Sequence, residues 1–129
     1  MNLPAVLLID SARTSKTSFQ KYFADEYTIL TVSTADDAIN LLSDTDIQPQ
    51  CVVVEMTLAG HSGFEFLYEF RSYSDWATLP VIIYTSIDIS AVVLESRSWK
   101  ALQVTDYLYK PISSLSDVRD SITRAVSAA

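Results

Sequence analysis

Short apolar runs alternate along this chain with segments whose apolar residues recur at helical spacing, and that alternation limits the possible folds more than any other feature. The runs fall at residues 5–10, 27–32, 51–55, 79–86 and 104–109, each short enough for a strand. After the first, the polar stretch SARTSKTS opens a segment with Phe19, Tyr22 and Phe23 on one helical face. After the second, Ser33 or Thr34 is placed to cap a helix carrying Ala35, Ala38, Ile39 and Leu42. After the third, Ser62 begins a helix expected to turn Phe64, Leu67, Tyr68 and Tyr73 inward. The segment 89–100 is the weakest helix, because Ile89, Val92, Val93 and Trp99 spread around its axis. Leu115, Val118, Ile122 and Val126, three and four residues apart, mark the last helix.

Five strand–helix pairs with continuously apolar strands imply a parallel sheet covered on both faces, joined by right-handed crossovers. The expected fold is therefore a doubly wound α/β sandwich, and 129 residues suit one domain, 1–129, with one real core. Sixteen acids against nine bases give a formal charge of -7, which opposes attraction to nucleic-acid phosphates or anionic lipid. No nucleic-acid or membrane partner is expected. Cys51, the one cysteine, lies inside an apolar run, so it reads as a small buried side chain in a reducing, cytoplasmic setting.

In doubly wound sheets, functional groups gather at the carboxyl ends of the strands, near the point where strand order reverses. Those ends here are Asp10, Glu55, the pair Thr85 and Ser86, and Lys110 followed by Pro111. Each alone has an ordinary structural explanation, as a helix cap, a solvated strand end, a turn hydroxyl or a surface charge. Two carboxylates, a hydroxyl and an ammonium from separate parts of the chain make a set that invites a shared site.

With these residues in hand, the sequence resembles the receiver domain of two-component response regulators over essentially its full length. The matching pieces are VLLIDS, VVVEMTLAGHSGFEFL, LPVIIYTS and DYLYKPI, with Gly63, Thr85 and the Lys110-Pro111 pair at the family's spacings. The resemblance implies a flavodoxin-like (βα)5 fold with strand order 2-1-3-4-5. It implies an aspartate phosphoacceptor at the end of strand three, a pair of acids after strand one that holds Mg²⁺, and a hydroxyl and Lys that contact the phosphoryl group. A cis peptide before the proline is also common in the family.

The sequence departs from that pattern where the chemistry is done. Glu55 stands at the acceptor position and Ser11 replaces the second acid of the metal pair. Mg²⁺ wants hard oxygen ligands in octahedral geometry, so losing an anionic ligand weakens binding, and no metal is expected, with Asp10 and Glu55 as weak candidates. Asp10, Glu55 and Lys110 sum to about -1, and opposite charges ~4 Å apart attract by ~4 kcal/mol at intermediate dielectric. Lys110 then does part of the cation's work. The longer Glu side chain is expected to carry its carboxylate outward by one bond, and ~1 Å of misplacement costs ~100-fold in rate. The pocket is expected to comprise Asp10, Ser11, Glu55, Thr57, Thr85 and Lys110.

The leading expectation is a degenerate receiver acting by phosphorylation-independent protein contacts, with Glu55 a fixed anion held by Lys110 and Thr85. The competing one is a working phosphoacceptor that uses Mg²⁺ and a histidine kinase's phosphoryl group. Neither includes catalysis on a diffusible substrate, since no nucleophile–base pair stands out. In the family the pocket is coupled to the face made by helix four, strand five and helix five. Tyr107 occupies the aromatic switch position there, with Trp99, Leu102 and Tyr109 near it as anchors for signalling proteins or a fused output domain. The chain is expected to be a monomer or a homodimer through helices four and five. His61, without neighbouring ligands, reads as a surface residue. The hydroxyls and Lys16 after strand one are a weak phosphate-binding candidate, because no glycine there permits close backbone approach.

Overall fold

A computed structural model describes residues 3–44, 46–58 and 62–127. Five strands, β1 (Ala5–Ile9), β2 (Thr28–Val32), β3 (Cys51–Val54), β4 (Val81–Thr85) and β5 (Asp106–Tyr109), form one parallel sheet in the order β2-β1-β3-β4-β5. The doubly wound fold and its strand order are those expected. β1, β3 and most of β4 are buried, whereas β2 and β5 lie at the edges and are largely half-buried.

Because side chains alternate across a strand, each apolar run feeds two cores. Leu7, Ile9, Val52, Val54, Val81 and Ile83 face one side, against α2 (Ala35–Leu42) and α3 (Gly63–Ser72). Val6, Leu8, Cys51, Val53 and Ile82 face the other, against α1 (Arg13–Phe23) and α6 (Leu115–Ser127). Burial without a charged neighbour pushes the Cys51 thiol up to about 12, as suits an apolar filler.

Local sequence sets the helix boundaries. Of the two possible caps of α2, Thr34 is the one used, accepting from the Asp37 N–H at 3.1 Å. Ser62 caps α3 by accepting from the Glu65 N–H. Ser114 and Asp117 cap α6 reciprocally, each side chain accepting from the other's backbone N–H. Gly63 has to be a glycine, since a Cβ there would lie 2.7 Å from both Cα and Sδ of Met56. That close approach holds the start of α3 against the end of β3.

Three expectations are corrected. The fourth helix is two short ones, α4 (Ala91–Leu94) and α5 (Arg97–Ala101), with no buried residue in either. Ser96 breaks the segment: its hydroxyl accepts from the Trp99 N–H and donates to the Val93 carbonyl, offering the backbone an alternative to continuous helix. On α3 the buried face is Gly63, Phe66, Leu67 and Phe70, while Tyr68 and Tyr73 are exposed. The apolar stripe runs through Phe66 and Phe70, one turn apart and stacked at 5.5 Å, rather than through the tyrosines. No cis peptide occurs among the described residues, and Pro111 instead sits in the first turn of a 3-10 segment, Lys110–Ile112, where its fixed φ fits.

Candidate functional site

Parallel register brings the strand ends together. Ile9 pairs with Val54, and the Glu55 N–H donates to the Ile9 carbonyl at 2.9 Å, so Asp10 and Glu55 leave adjacent strands side by side. Thr85 ends β4 next to them, and Lys110 follows β5. Asp10 is 2% exposed, Glu55 5% and Thr85 0%, so two carboxylates lie in a place where charge needs partners.

Those partners are within the chain. Lys110 Nζ donates to Asp10 Oδ2 at 2.9 Å and reaches Glu55 Oε1 at 3.5 Å. Asp10 Oδ1 accepts from the Ala12 N–H at 2.9 Å. Glu55 Oε1 accepts from both the N–H and the hydroxyl of Ser86, at 3.1 and 2.9 Å, and Oε2 accepts from the Met56 N–H at 2.7 Å. Burial alone would raise the Glu55 carboxyl. The Thr85 hydroxyl, the Ser86 N–H, the Lys110 charge and the Ser86 hydroxyl outweigh it and hold Glu55 below the ordinary carboxylate range. Glu55 is therefore an anion at neutral pH. The Glu55 side chain folds back onto its own strand end and onto Ser86 and stays buried.

The donor set does not suit Mg²⁺. Asp10 Oδ2 is taken by Lys110, both Glu55 oxygens by backbone and hydroxyl donors, and the Ser11 hydroxyl donates to the Ser33 carbonyl at 2.7 Å. Among the described residues, no buried side-chain nitrogen or oxygen lacks a hydrogen-bond partner, and no group of three or more His, Cys, Asp or Glu is placed to hold a metal.

Of the expected pocket residues, Asp10, Ser11, Glu55, Thr57 and Lys110 line one open cavity with Ser15 and Ser86, and Thr85 supports it from beneath. Thr57 is exposed at the rim, in an antiparallel bridge with Ser62. Ser86, which lines the cavity and bonds Glu55, is the residue that sequence reasoning left out of the pocket; its signal was its place beside Thr85 at a strand end. Lys16, which hydrogen-bonds Ser33 Oγ, brings a second ammonium to the loop that holds Ser11. His61 lies outside the described residues.

The expected output face is arranged differently from its sequence reading. Tyr107 is half-buried, its hydroxyl donating to the Ile87 carbonyl and accepting from the Ile89 N–H, both at 2.9 Å. Trp99 is half-buried, edge-on to Phe64 at 5.9 Å. Leu102 is 2% exposed and belongs to the core, because the chain must turn inward there to enter β5, so it offers nothing to a partner. The exposed apolar side chains near this face are Val92 (82%) and Ile112 (81%), with Ile87 and Val93 less open.

Fold and site together define a flavodoxin-like doubly wound domain with acids, a hydroxyl and a lysine gathered at its switch point. The chain belongs to the response regulator receiver domain family, which it matches over residues 6–123. It is similar in structure to the signal receiver domain of a Luxo repressor protein from Vibrio parahaemolyticus, with TM-score 0.81, 25% identity, and 98% of this chain and 92% of that one covered. It is also similar to the chemotaxis response regulator CheY4 of Vibrio cholerae, with TM-score 0.80, 18% identity, and 96% and 99% covered. The receiver domain of a signal transduction histidine kinase from Syntrophus aciditrophicus gives TM-score 0.81, 17% identity, and 98% and 92% covered. No curated protein matches the sequence. Receiver domains act in two-component signalling through contacts with signalling proteins and output domains. Among the described residues no helix is long and apolar enough to cross a membrane.

Proposed function

We propose that this receiver signals by protein contact in a state fixed by Glu55, without a transferred phosphoryl group. The observation that carries the reading is the occupancy of the Glu55 carboxylate: the Thr85 and Ser86 hydroxyls, two backbone N–H groups and the Lys110 ammonium already surround it. A carboxylate has one negative charge and two acceptor oxygens where a phosphoryl group has more of both, so Glu55 imitates it in part.

Contacts at the end of β4 lead from that anion toward the expected output face. Ser86 donates to Glu55 through its N–H and its hydroxyl, and beside it the Thr85 oxygen accepts from the Ile87 N–H at 3.1 Å. The Ile87 carbonyl accepts from Tyr107, whose oxygen in turn accepts from the Ile89 N–H. A permanent charge at Glu55 thereby favours one position of the β4–α4 loop and of the Tyr107 ring. The surface this presents, around α4, α5, β5 and α6, carries exposed Val92 and Ile112 and suits a signalling protein or a fused output domain. This role requires no turnover of a diffusible substrate.

Incubation with acetyl phosphate and Mg²⁺, read by intact mass, tests the proposal. The mass is expected to stay unchanged, and beryllofluoride with Mg²⁺ is expected to leave amide chemical shifts around Thr85 and Tyr107 unmoved. A phosphoryl adduct at Glu55 would overturn the reading in favour of a working phosphoacceptor.

A further inference from the structure

A second cavity of about 220 Å³ adjoins the acid pocket and shares Asp10, Ser15 and Lys110 with it, but opens between α1 and the start of α6. Its floor is apolar, made by the buried Leu8 and Phe19 with Leu115 beside them. Its α1 wall is polar and partly open to water. Thr14, Ser15 and Ser18 line it, and their hydroxyls make no hydrogen bond to any described residue, whereas Thr17 on the same helix returns its hydroxyl to the Arg13 carbonyl at 3.0 Å. On the opposite wall the Lys110 ammonium lies 5.3 Å from the centre of the Tyr84 ring. Two of its three N–H groups serve Asp10 and Glu55, which leaves one for the cavity.

We propose that this cavity binds a small uncharged ring compound bearing a hydrogen-bond acceptor. Size sets the scale: an apolar cavity of ~150 Å³ admits benzene, so the volume here takes one ring and one polar substituent. The apolar floor and the Tyr84 face suit the ring. The free donors, three hydroxyls and one ammonium N–H, suit an acceptor. The lining carries one acid and one base, Asp10 and Lys110, already paired with each other at 2.9 Å, so neither an anion nor a cation finds an unpaired counter-charge there. A ligand seated there touches the lysine that neutralises the acid pocket, which gives a small molecule a physical route to the signalling site. The proposal needs only the cavity and stands whether or not Glu55 accepts a phosphoryl group.

Titration of benzamide into ¹⁵N-labelled protein, followed by amide chemical shifts, tests it, with benzoate and benzylamine as charged analogues. Saturable shifts are expected in the millimolar range at α1, Tyr84 and Leu115, with both analogues binding at least several-fold more weakly. Ser18 lines this cavity and not the acid pocket, and it is an exposed helix position. Ser18→Leu should therefore fill the cavity and abolish the shifts while leaving the circular dichroism unchanged. The milder pair Thr14→Ala with Ser18→Ala should weaken binding several-fold without filling the space. Absence of saturable shifts, equal affinity for benzoate or benzylamine, or undiminished binding by Ser18→Leu would each overturn the proposal.

Discussion

Lys110 lies 100 residues along the chain from Asp10 and 55 from Glu55, yet its ammonium is in hydrogen-bonding reach of both. Replacing it with Met leaves two buried carboxylates side by side without a cation, and breaking a buried pair from one side is the costly way to remove it. Lys110→Met is expected to lose about 3 kcal/mol at pH 7, measured as the shift in urea unfolding. Glu55 supplies a second test with a definite sign. Its folded pKa is depressed, so its contribution is present above the ordinary carboxyl value of 4.5 and disappears as pH falls through the folded value. The stability difference between the native chain and Glu55→Gln should therefore be constant from pH 7 to pH 6 and shrink steadily below 4.5. A difference that grows in acid would contradict the assigned direction.

At the scale of elements, the β4–β5 half of the sheet is held by a residue absent from any sequence motif. Arg71, near the end of α3, donates to the carbonyls of Trp76, Ala77 and Leu79 from one nitrogen and to those of Leu102 and Gln103 from its others. It thus ties the 3-10 turn Ser74–Trp76 and the approach to β4 to the turn that precedes β5. Desolvation by burial lowers its pKa, and the carbonyl dipoles and the Phe70 ring, 5.2 Å away, offset part of that cost. Arg71→Leu is expected to cost about 2–3 kcal/mol in urea unfolding, since several carbonyls lose a charged donor at once. Gln103, in that same turn, has φ 52, a left-handed conformation that costs a non-glycine residue about 1 kcal/mol. Gln103→Gly should accordingly raise stability by about 0.5 kcal/mol or more, with the Arg71 contact to the residue 103 carbonyl retained.

At the scale of the whole molecule, stability should grade from the sheet centre outwards. β1, β3 and β4 are buried and paired on both sides, whereas α4 has four residues and none buried. Native-state hydrogen exchange is expected to show β1 and β3 amides opening only with global unfolding and α4 amides exchanging fastest. Equal protection in α4 and β3 would contradict that gradient. The architecture was legible because burial on both faces demands unbroken apolar runs, and a period of two then assigns Val52 and Val53 to opposite cores without knowledge of their neighbours. The meeting of Asp10, Glu55, Thr85 and Lys110 followed, since parallel strands bring all their carboxyl ends to one edge. Other features depend on partners brought in from distant segments. Ser86 takes up the Glu55 carboxylate, the Ile87 and Ile89 backbone captures Tyr107, Leu102 sinks into the core, and Arg71 finds carbonyls more than thirty residues away. Periodicity, a local property of the chain, thus determined the layers and the edge where function gathers. Only the folded structure decided where each side chain at that edge points, because hydrogen bonds between remote segments have no signature along the sequence.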